Sequence, residues 1–214
     1  MRIRKYLKQD REEIEKIHFK LGFFGSTMSN VLSSNKFWKK NISYYLDDEP
    51  ENVFVVEHEK KVKGYLLGSL NKDVNIHKII LINNIKNFFL NLFRKKEDRV
   101  FWTRRLFVLI DILLGKSGEI KLKIPKNSGH FHINILPELQ GKKLGEDLIK
   151  CFEEQAKRKG VKKIHAILYE SFDYKVYKFF SKQGFNVFSK VKTNSWKKYF
   201  PKKDIKLACY TKEL

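Results

Sequence analysis

The residues best suited to proton transfer lie in the segment GHFHINI, at positions 129–135. Polar and apolar residues alternate along it, as in a β-strand with two different faces. Alternation places His130, His132 and Asn134 on one face. Histidine titrates near neutral pH, so either imidazole is a candidate for moving a proton. The alternative is a pair of partly exposed histidines with a structural role.

The same His-x-His pair also leaves a metal site open, because both imidazoles would lie on one side of the strand. Zinc requires at least one further protein ligand. His165, in the strand predicted at 163–169, is the nearest candidate, and no cysteine or acidic pattern supplies another. We therefore predict no metal. Cys151 and Cys209 make no paired metal or redox spacing, which favours a reducing compartment.

A glycine-containing turn follows this strand, in ILPELQGKKLGEDLIK at 135–150. A turn between a strand and a helix points backbone N–H groups outward, with the positive end of the helix dipole behind them. Gly141 and Gly145 lack Cβ atoms, so a diphosphate can approach the backbone closely. Lys142 and Lys143 add positive charge. The turn is therefore predicted to bind an anion, and an ordinary strand–helix turn is the alternative.

The surrounding pattern is that of an α/β (α+β) fold: a mixed, mostly antiparallel sheet of six or seven strands flanked by helices. Helices are predicted at 11–21, 37–46, 144–159 and 174–182, and a loop at 22–34. The predicted strands are at 2–6, 53–57, 62–70, 129–136, 163–169, 185–191 and 206–212, with a short extra strand at 119–124. We predict one domain over residues 1–214.

A helical insertion of about 72–128 separates the third and fourth of these main strands. It contains two apolar stretches, at 79–93 and 100–114, joined by a basic tract. Packing on the sheet or dimerisation is the simplest interpretation. A lid over an acceptor pocket and contact with a membrane surface are the alternatives.

These features together resemble the GNAT superfamily of acetyltransferases, over residues 129–214 and more weakly over 2–70. Its cofactor motif, Q/R-x-x-G-x-G/A, is matched by Gln140, Gly141 and Gly145, while Lys143 replaces the middle glycine. A second family block ends at Gly184-Phe185. The long insertion followed by a His-x-His strand is also similar to the GNAT domains related to the C-terminal part of protein O-GlcNAcases.

The resemblance implies transfer of an acetyl group from acetyl-coenzyme A (acetyl-CoA) to an amine. It implies a base or relay at His132 or His130. Tyr177 is a candidate acid, since Phe180 stands where the family usually has its tyrosine. The second block has Asp173 where asparagine is usual. The predicted cofactor-binding residues are Ile133, Asn134, Ile135, Gln140, Gly141, Lys142, Lys143, Leu144, Gly145, Asp173 and Phe180. In the family, the fourth and fifth strands splay apart beside the residues that correspond to 133–135, and the gap forms a slot for the cofactor.

The amino-acid composition limits the classes of binding partner that the protein is expected to have. The chain has 45 Lys and Arg against 24 Asp and Glu, a net charge of +21, but the lysines are spread along the chain. Nucleic-acid binding is therefore disfavoured, and neutral or anionic acceptors are weakly favoured over cationic ones. No apolar run is long enough to span a membrane. We expect a cytoplasmic protein, with homodimerisation open. The second functional hypothesis is a coenzyme-A-binding module without transferase activity.

Overall fold

The computed structural model describes residues 1–22, 36–71, 103, 106–107, 110–111, 114–171, 176–194, 196–197 and 200–214. Seven strands are hydrogen-bonded in the order β1-β2-β3-β4-β5-β7-β6, which confirms the predicted mixed sheet flanked by helices. In chain order the elements are β1 (Arg2–Lys5), α1 (Arg11–Leu21), α2 (Lys36–Asp47), β2 (Val53–His58), β3 (Lys61–Ser69), β4 (Gly129–Ile135), α3 (Leu144–Arg158), β5 (Lys163–Glu170), α4 (Val176–Lys182), β6 (Asn186–Lys192) and β7 (Lys206–Glu213).

The short strand predicted at 119–124 is wrong, because Glu119–Lys121 forms a 3₁₀ helix. The N–H of Leu122 donates to the carbonyl of Glu119 at 3.2 Å. The next N–H, of Lys123, donates to the hydroxyl of Ser189 at 3.0 Å. These donors therefore serve a turn and a side chain, so they are not available to a strand ladder.

Much of the predicted insertion lies outside the described residues, including the helical stretch at 79–93. The same holds for the loop predicted beyond Gly22. From the second stretch, the residues described as helical are Thr103, Leu106, Phe107, Ile110 and Asp111. Over the described part of the chain, no helix has the length and apolar character needed to cross a membrane.

The chain divides into two compact units, so the single-domain interpretation stays a prediction. Unit 1 comprises Met1–Ile76, Asn127–Ile164 and Glu213–Leu214, and unit 2 comprises His77–Lys126 and His165–Lys212.

In unit 1, β1 to β4 form an antiparallel array whose register fixes the neighbours of β4. Tyr65 of β3 lies opposite Asn134, and Leu67 lies opposite His132. The β2–β3 turn uses Glu59 and Lys60, both with positive φ, as tight hairpins require.

The other face of β4 packs on α3. The ring of Phe131 lies 5.5 Å from that of Phe152, centroid to centroid. Leu148, Phe152 and Ala156 of α3 are fully buried, at the spacing of four that the sequence shows. Gly68 makes this close packing possible, because a Cβ atom there would lie 2.2 Å from the Phe152 ring.

A buried carboxylate ties the end of α2 to the end of β3. Glu49 accepts hydrogen bonds from the side chains of Tyr44 (2.7 Å), Asn52 (2.7 Å) and Ser69 (2.5 Å). The backbone N–H of Leu70 donates a fourth, at 2.7 Å. Four donors replace the water that the carboxylate loses on burial.

In unit 2, β6 and β7 pair in antiparallel fashion beside α4. The ring of Phe180, on α4, lies 5.4 Å from that of Phe185 and 6.1 Å from that of Tyr210. These rings pack together among the described residues of the unit.

Replacing Gly68 with alanine should lower the free energy of unfolding by about 2–3 kcal/mol, because the new methyl group collides with the Phe152 ring and with the carbonyl oxygen of Asn52. Urea unfolding of Gly68→Ala measures the loss. Gly68→Ala combined with Phe152→Leu should lose about 1 kcal/mol less stability than the two single variants lose together. Strict additivity would show that the ring does not limit the size of residue 68.

Candidate functional site

Four polar side chains of unit 1 meet where α1 crosses β3 and β4. The amide nitrogen Nδ2 of Asn134 donates to the hydroxyl oxygen of Tyr65 at 2.7 Å. That hydroxyl lies 2.8 Å from Nδ1 of His18. Nδ2 of Asn134 also lies 3.4 Å from Nε2 of His132, and the rings of His18 and His132 meet edge to face, 5.4 Å apart. We call these four residues the β4 cluster.

The β4 cluster is uncharged at neutral pH. Desolvation lowers the pKa of His132 to about 4. Burial, and then the proximity of His132, lowers the pKa of His18 well below its usual value. Burial raises the pKa of Tyr65, against the effect of the hydrogen bond from Asn134. A base with a pKa near 4 holds a proton only briefly at pH 7.

His130 lies in a second contact, with α2. Its Nδ1 is 2.8 Å from the hydroxyl of Tyr45, and the two rings stack at 6.1 Å. Burial raises the pKa of Tyr45, so the phenol stays protonated. The structure thus places His132 beside His18 of α1, and His130 beside Tyr45 of α2.

The predicted anion site follows directly from β4. Ile133, Asn134 and Ile135 end the strand, and a 3₁₀ turn (Pro137–Leu139) leads to Gln140. The side chain of Gln140 donates from Nε2 to the carbonyl of Ile135 at 3.0 Å, which fixes the start of the loop.

The loop between Gln140 and α3 offers a run of backbone donors. From Gly141 through Glu146, the N–H groups have no acceptor in the part of the chain that the structure describes. Gly141, Lys142 and Lys143 are exposed, and Leu144 and Gly145 begin the helix. Six such donors at a helix N-terminus, beside two lysines, can hold a diphosphate.

Two loop residues have left-handed backbone. Gly141 has φ +79°, and Lys143, which precedes the first residue of α3, has φ +61°. Only glycine adopts this region without a steric penalty. Lys143 therefore keeps the conformation of the glycine that the motif expects, and its side chain is exposed.

The remaining predicted residues lie elsewhere. Tyr177 is half-buried on α4 in unit 2, and Phe180 is buried there against Phe185 and Tyr210. Asp173 lies outside the described residues. The roles of Tyr177, Asp173 and Phe180, and the slot between β4 and β5, stay predictions.

Sequence reasoning missed His18, Tyr65 and Tyr45. His18 follows Ile14 by four residues and precedes Leu21 by three, so it lies on the apolar face of α1. A polar residue on such a face is the available signal. Tyr65 and Tyr45 give no comparable signal, since tyrosine occurs both in cores and on surfaces.

Comparison with known proteins identifies a family match over the segment that contains this loop, and several solved structures with a similar fold. Residues 113–185 match the model of the Acetyltransferase (GNAT) family, a segment that includes β4, the loop and α3. No curated protein matches the chain. Among solved structures, SsHAT is 17% identical with a TM-score of 0.65, covering 99% of this chain and 97% of its own.

Two further structures cover the whole chain. The ribosomal-protein-alanine N-acetyltransferase from Brucella melitensis is 14% identical, with a TM-score of 0.56 and 100% coverage of both chains. The yncA protein from Salmonella typhimurium, solved with its cofactor acetyl-CoA, is 14% identical, with a TM-score of 0.57 and coverage of 100% of this chain and 93% of its own. This protein has a GNAT fold. The finer likeness to domains related to protein O-GlcNAcases is not shown by these comparisons.

The predicted absence of a metal site stays a prediction. The part of the chain that the structure describes contains no group of three His, Cys, Asp or Glu side chains arranged to hold a metal ion.

Removing the left-handed lysine of this GNAT loop should stabilise the protein. Lys143→Gly relieves a penalty of about 1–2 kcal/mol but makes the unfolded chain more flexible, so we expect a net gain of roughly 0.5 kcal/mol. Lys142→Gly is the matched control, because Lys142 is not left-handed and should lose stability. Denaturant midpoints that fall equally for both variants would show that Lys143 carries no strain.

The depressed pKa of His132 makes stability depend on pH in a known direction. The folded state binds its proton near pH 4 and the unfolded state near 6.5, so stability is full above 6.5 and is lost as pH falls towards 4. Between pH 7 and 5, His132 should account for a loss of about 2 kcal/mol.

His132→Gln should reduce that acid-induced loss, measured by urea unfolding at the two pH values. His58→Gln is the control, because His58 lies at the end of β2, outside the β4 cluster. If His132→Gln loses as much stability on acidification as the wild type, His132 is not held neutral by burial.

Proposed function

We propose that this protein transfers an acetyl group from acetyl-CoA to an amine by direct attack. One observation carries the proposal: a run of six unpartnered backbone N–H groups, from Gly141 to Glu146, at the start of α3. It lies within the segment that matches the GNAT family. A structural relative, the Salmonella yncA protein, was solved with acetyl-CoA.

The loop would bind the diphosphate of the coenzyme. Its N–H groups would donate to phosphate oxygens, and Lys142 and Lys143 would add charge at the rim. Acidic residues in the first turn of α3 would repel the phosphates. This repulsion is reduced because the Glu146 carboxylate pairs with the Lys150 amine at 2.8 Å. Ile133 to Ile135, which lead into the loop, would provide backbone groups for the pantetheine arm.

The β4 histidines would face the reacting groups. An amine must be neutral to attack a thioester, and a neutral imidazole does not repel a charge that forms on the nitrogen during attack. His132 would act while uncharged, and His130, held by Tyr45, is the second candidate for a base or relay. Tyr177 is kept as a candidate acid for the departing thiolate.

Binding of the cofactor is the first test. Acetyl-CoA at a hundredfold excess over its dissociation constant should stabilise the wild type by about 2.7 kcal/mol in thermal unfolding. S-acetylpantetheine lacks the diphosphate and should stabilise it far less. Lys142→Glu should weaken acetyl-CoA binding about tenfold, because it puts a negative charge beside the phosphates.

Lys162→Glu is the matched control, since Lys162 is exposed, carries the same charge and lies outside the loop. Equal stabilisation by the two thioesters would contradict a diphosphate site at the loop. Thiol release with a panel of small amines and peptides then separates the two functional hypotheses. Tight binding without release from any acceptor would favour the coenzyme-A-binding module.

A further inference from the structure

The hydrogen bonds of the β4 cluster run in one direction. An amide nitrogen carries two hydrogens and no lone pair to share, so Nδ2 of Asn134 can only donate. One hydrogen goes to the oxygen of Tyr65 at 2.7 Å. The other points to Nε2 of His132 across the longer distance of 3.4 Å.

Tyr65 continues the chain. Its oxygen already accepts from Asn134, and its own hydrogen is free to donate to Nδ1 of His18, 2.8 Å away. Burial keeps the phenol protonated, so this hydrogen is present. The chain therefore leads from Asn134 through Tyr65 to His18.

The direction decides where each imidazole carries its proton. A neutral ring has one N–H and one lone pair, and both rings are neutral here. Nδ1 of His18 and Nε2 of His132 are the lone-pair atoms. The proton is then on Nε2 of His18 and on Nδ1 of His132, and Nδ1 of His132 has no partner in the described residues.

We propose that Asn134 and Tyr65 are positioning residues that fix the tautomers of His18 and His132, so that His132 offers its Nδ1–H as a hydrogen-bond donor rather than a basic nitrogen. The catalytic meaning rests on the proposed function. A fixed, neutral donor suits an oxygen on which negative charge develops, such as the carbonyl oxygen of a thioester.

The reaction then needs no proton transfer to His132. The amine nitrogen bonds to the carbonyl carbon, and the π electrons move to the oxygen, which accepts from Nδ1–H. When the carbonyl re-forms, the C–S bond breaks and its electron pair leaves on sulfur. The amine proton goes to water, and the thiolate takes a proton from water or from an acid such as Tyr177. His132 ends with the proton it began with.

Imidazole ¹⁵N spectra of the uniformly labelled protein at pH 7 test the tautomers directly, since a protonated and an unprotonated ring nitrogen resonate far apart. His132→Gln and His18→Gln assign the signals. We expect the proton on Nδ1 of His132 and on Nε2 of His18. Protonation of His132 at Nε2 would overturn the proposal.

Asn134→Asp is the decisive variant, because it keeps the shape of the side chain and replaces the donor NH2 group with an acceptor oxygen. The proton of His132 should move to Nε2, and its titration midpoint should rise by about two pH units beside the new carboxylate. His130 is the internal control, since its ring contacts Tyr45 and should not change. An unchanged His132 tautomer would contradict the proposal.

Tyr65→Phe is the second variant, in case the first does not fold. It removes the link to His18 but leaves the contact between Asn134 and His132. The ring of His18 should lose its single tautomer while that of His132 keeps it, and a change in His132 alone would contradict the assigned direction. All these spectra are recorded without acetyl-CoA. Failure to bind acetyl-CoA would thus refute the proposed function and leave the tautomers decided separately.

Discussion

Side chains along β4 alternate between two incompatible environments, and most of unit 1 depends on this alternation. Phe131 points to α3 and packs on Phe152, while His132 and Asn134 point to α1. A shift of one residue in register would bury the polar set against α3 and turn the phenylalanine to the other face. The pairing of β3 with β4 prevents the shift, because Gly68 faces Phe131 and Tyr65 faces Asn134.

The β4 cluster and Glu49 show two ways of burying polar atoms in one small unit. Glu49 is an ionisable group without a cationic partner among its four donors, which are hydroxyl, amide and backbone groups. The β4 cluster uses uncharged groups that hydrogen-bond to one another. Both solutions work by local hydrogen bonding, so neither requires the lysine-rich surface.

The fold could be read from the sequence because each element has a clear period and clear ends. The α3 pattern of Leu148, Phe152 and Ala156 and the left-handed glycine at position 160 are examples. The segment 119–124 was misread because its six alternating residues cannot show that their N–H groups bond to a turn. His130, His132 and the loop could be singled out as candidates because each pattern lies within a short stretch of sequence. His18 and Tyr65 were not, because their partners lie at least 47 residues away in sequence.

The strand order leaves β1 and β6 at the two ends of the sheet. The outer strand of a sheet has backbone groups that another chain can pair with, which makes such strands starting points for aggregation. Both end strands here are basic: β1 carries Arg2, Arg4 and Lys5, and β6 carries Lys190 and Lys192. These side chains are held in ion pairs: Arg2 and Arg4 pair with Glu57, and Lys190 pairs with Glu170. Charged side chains thus lie at both ends of the sheet, where they disfavour pairing with a further strand.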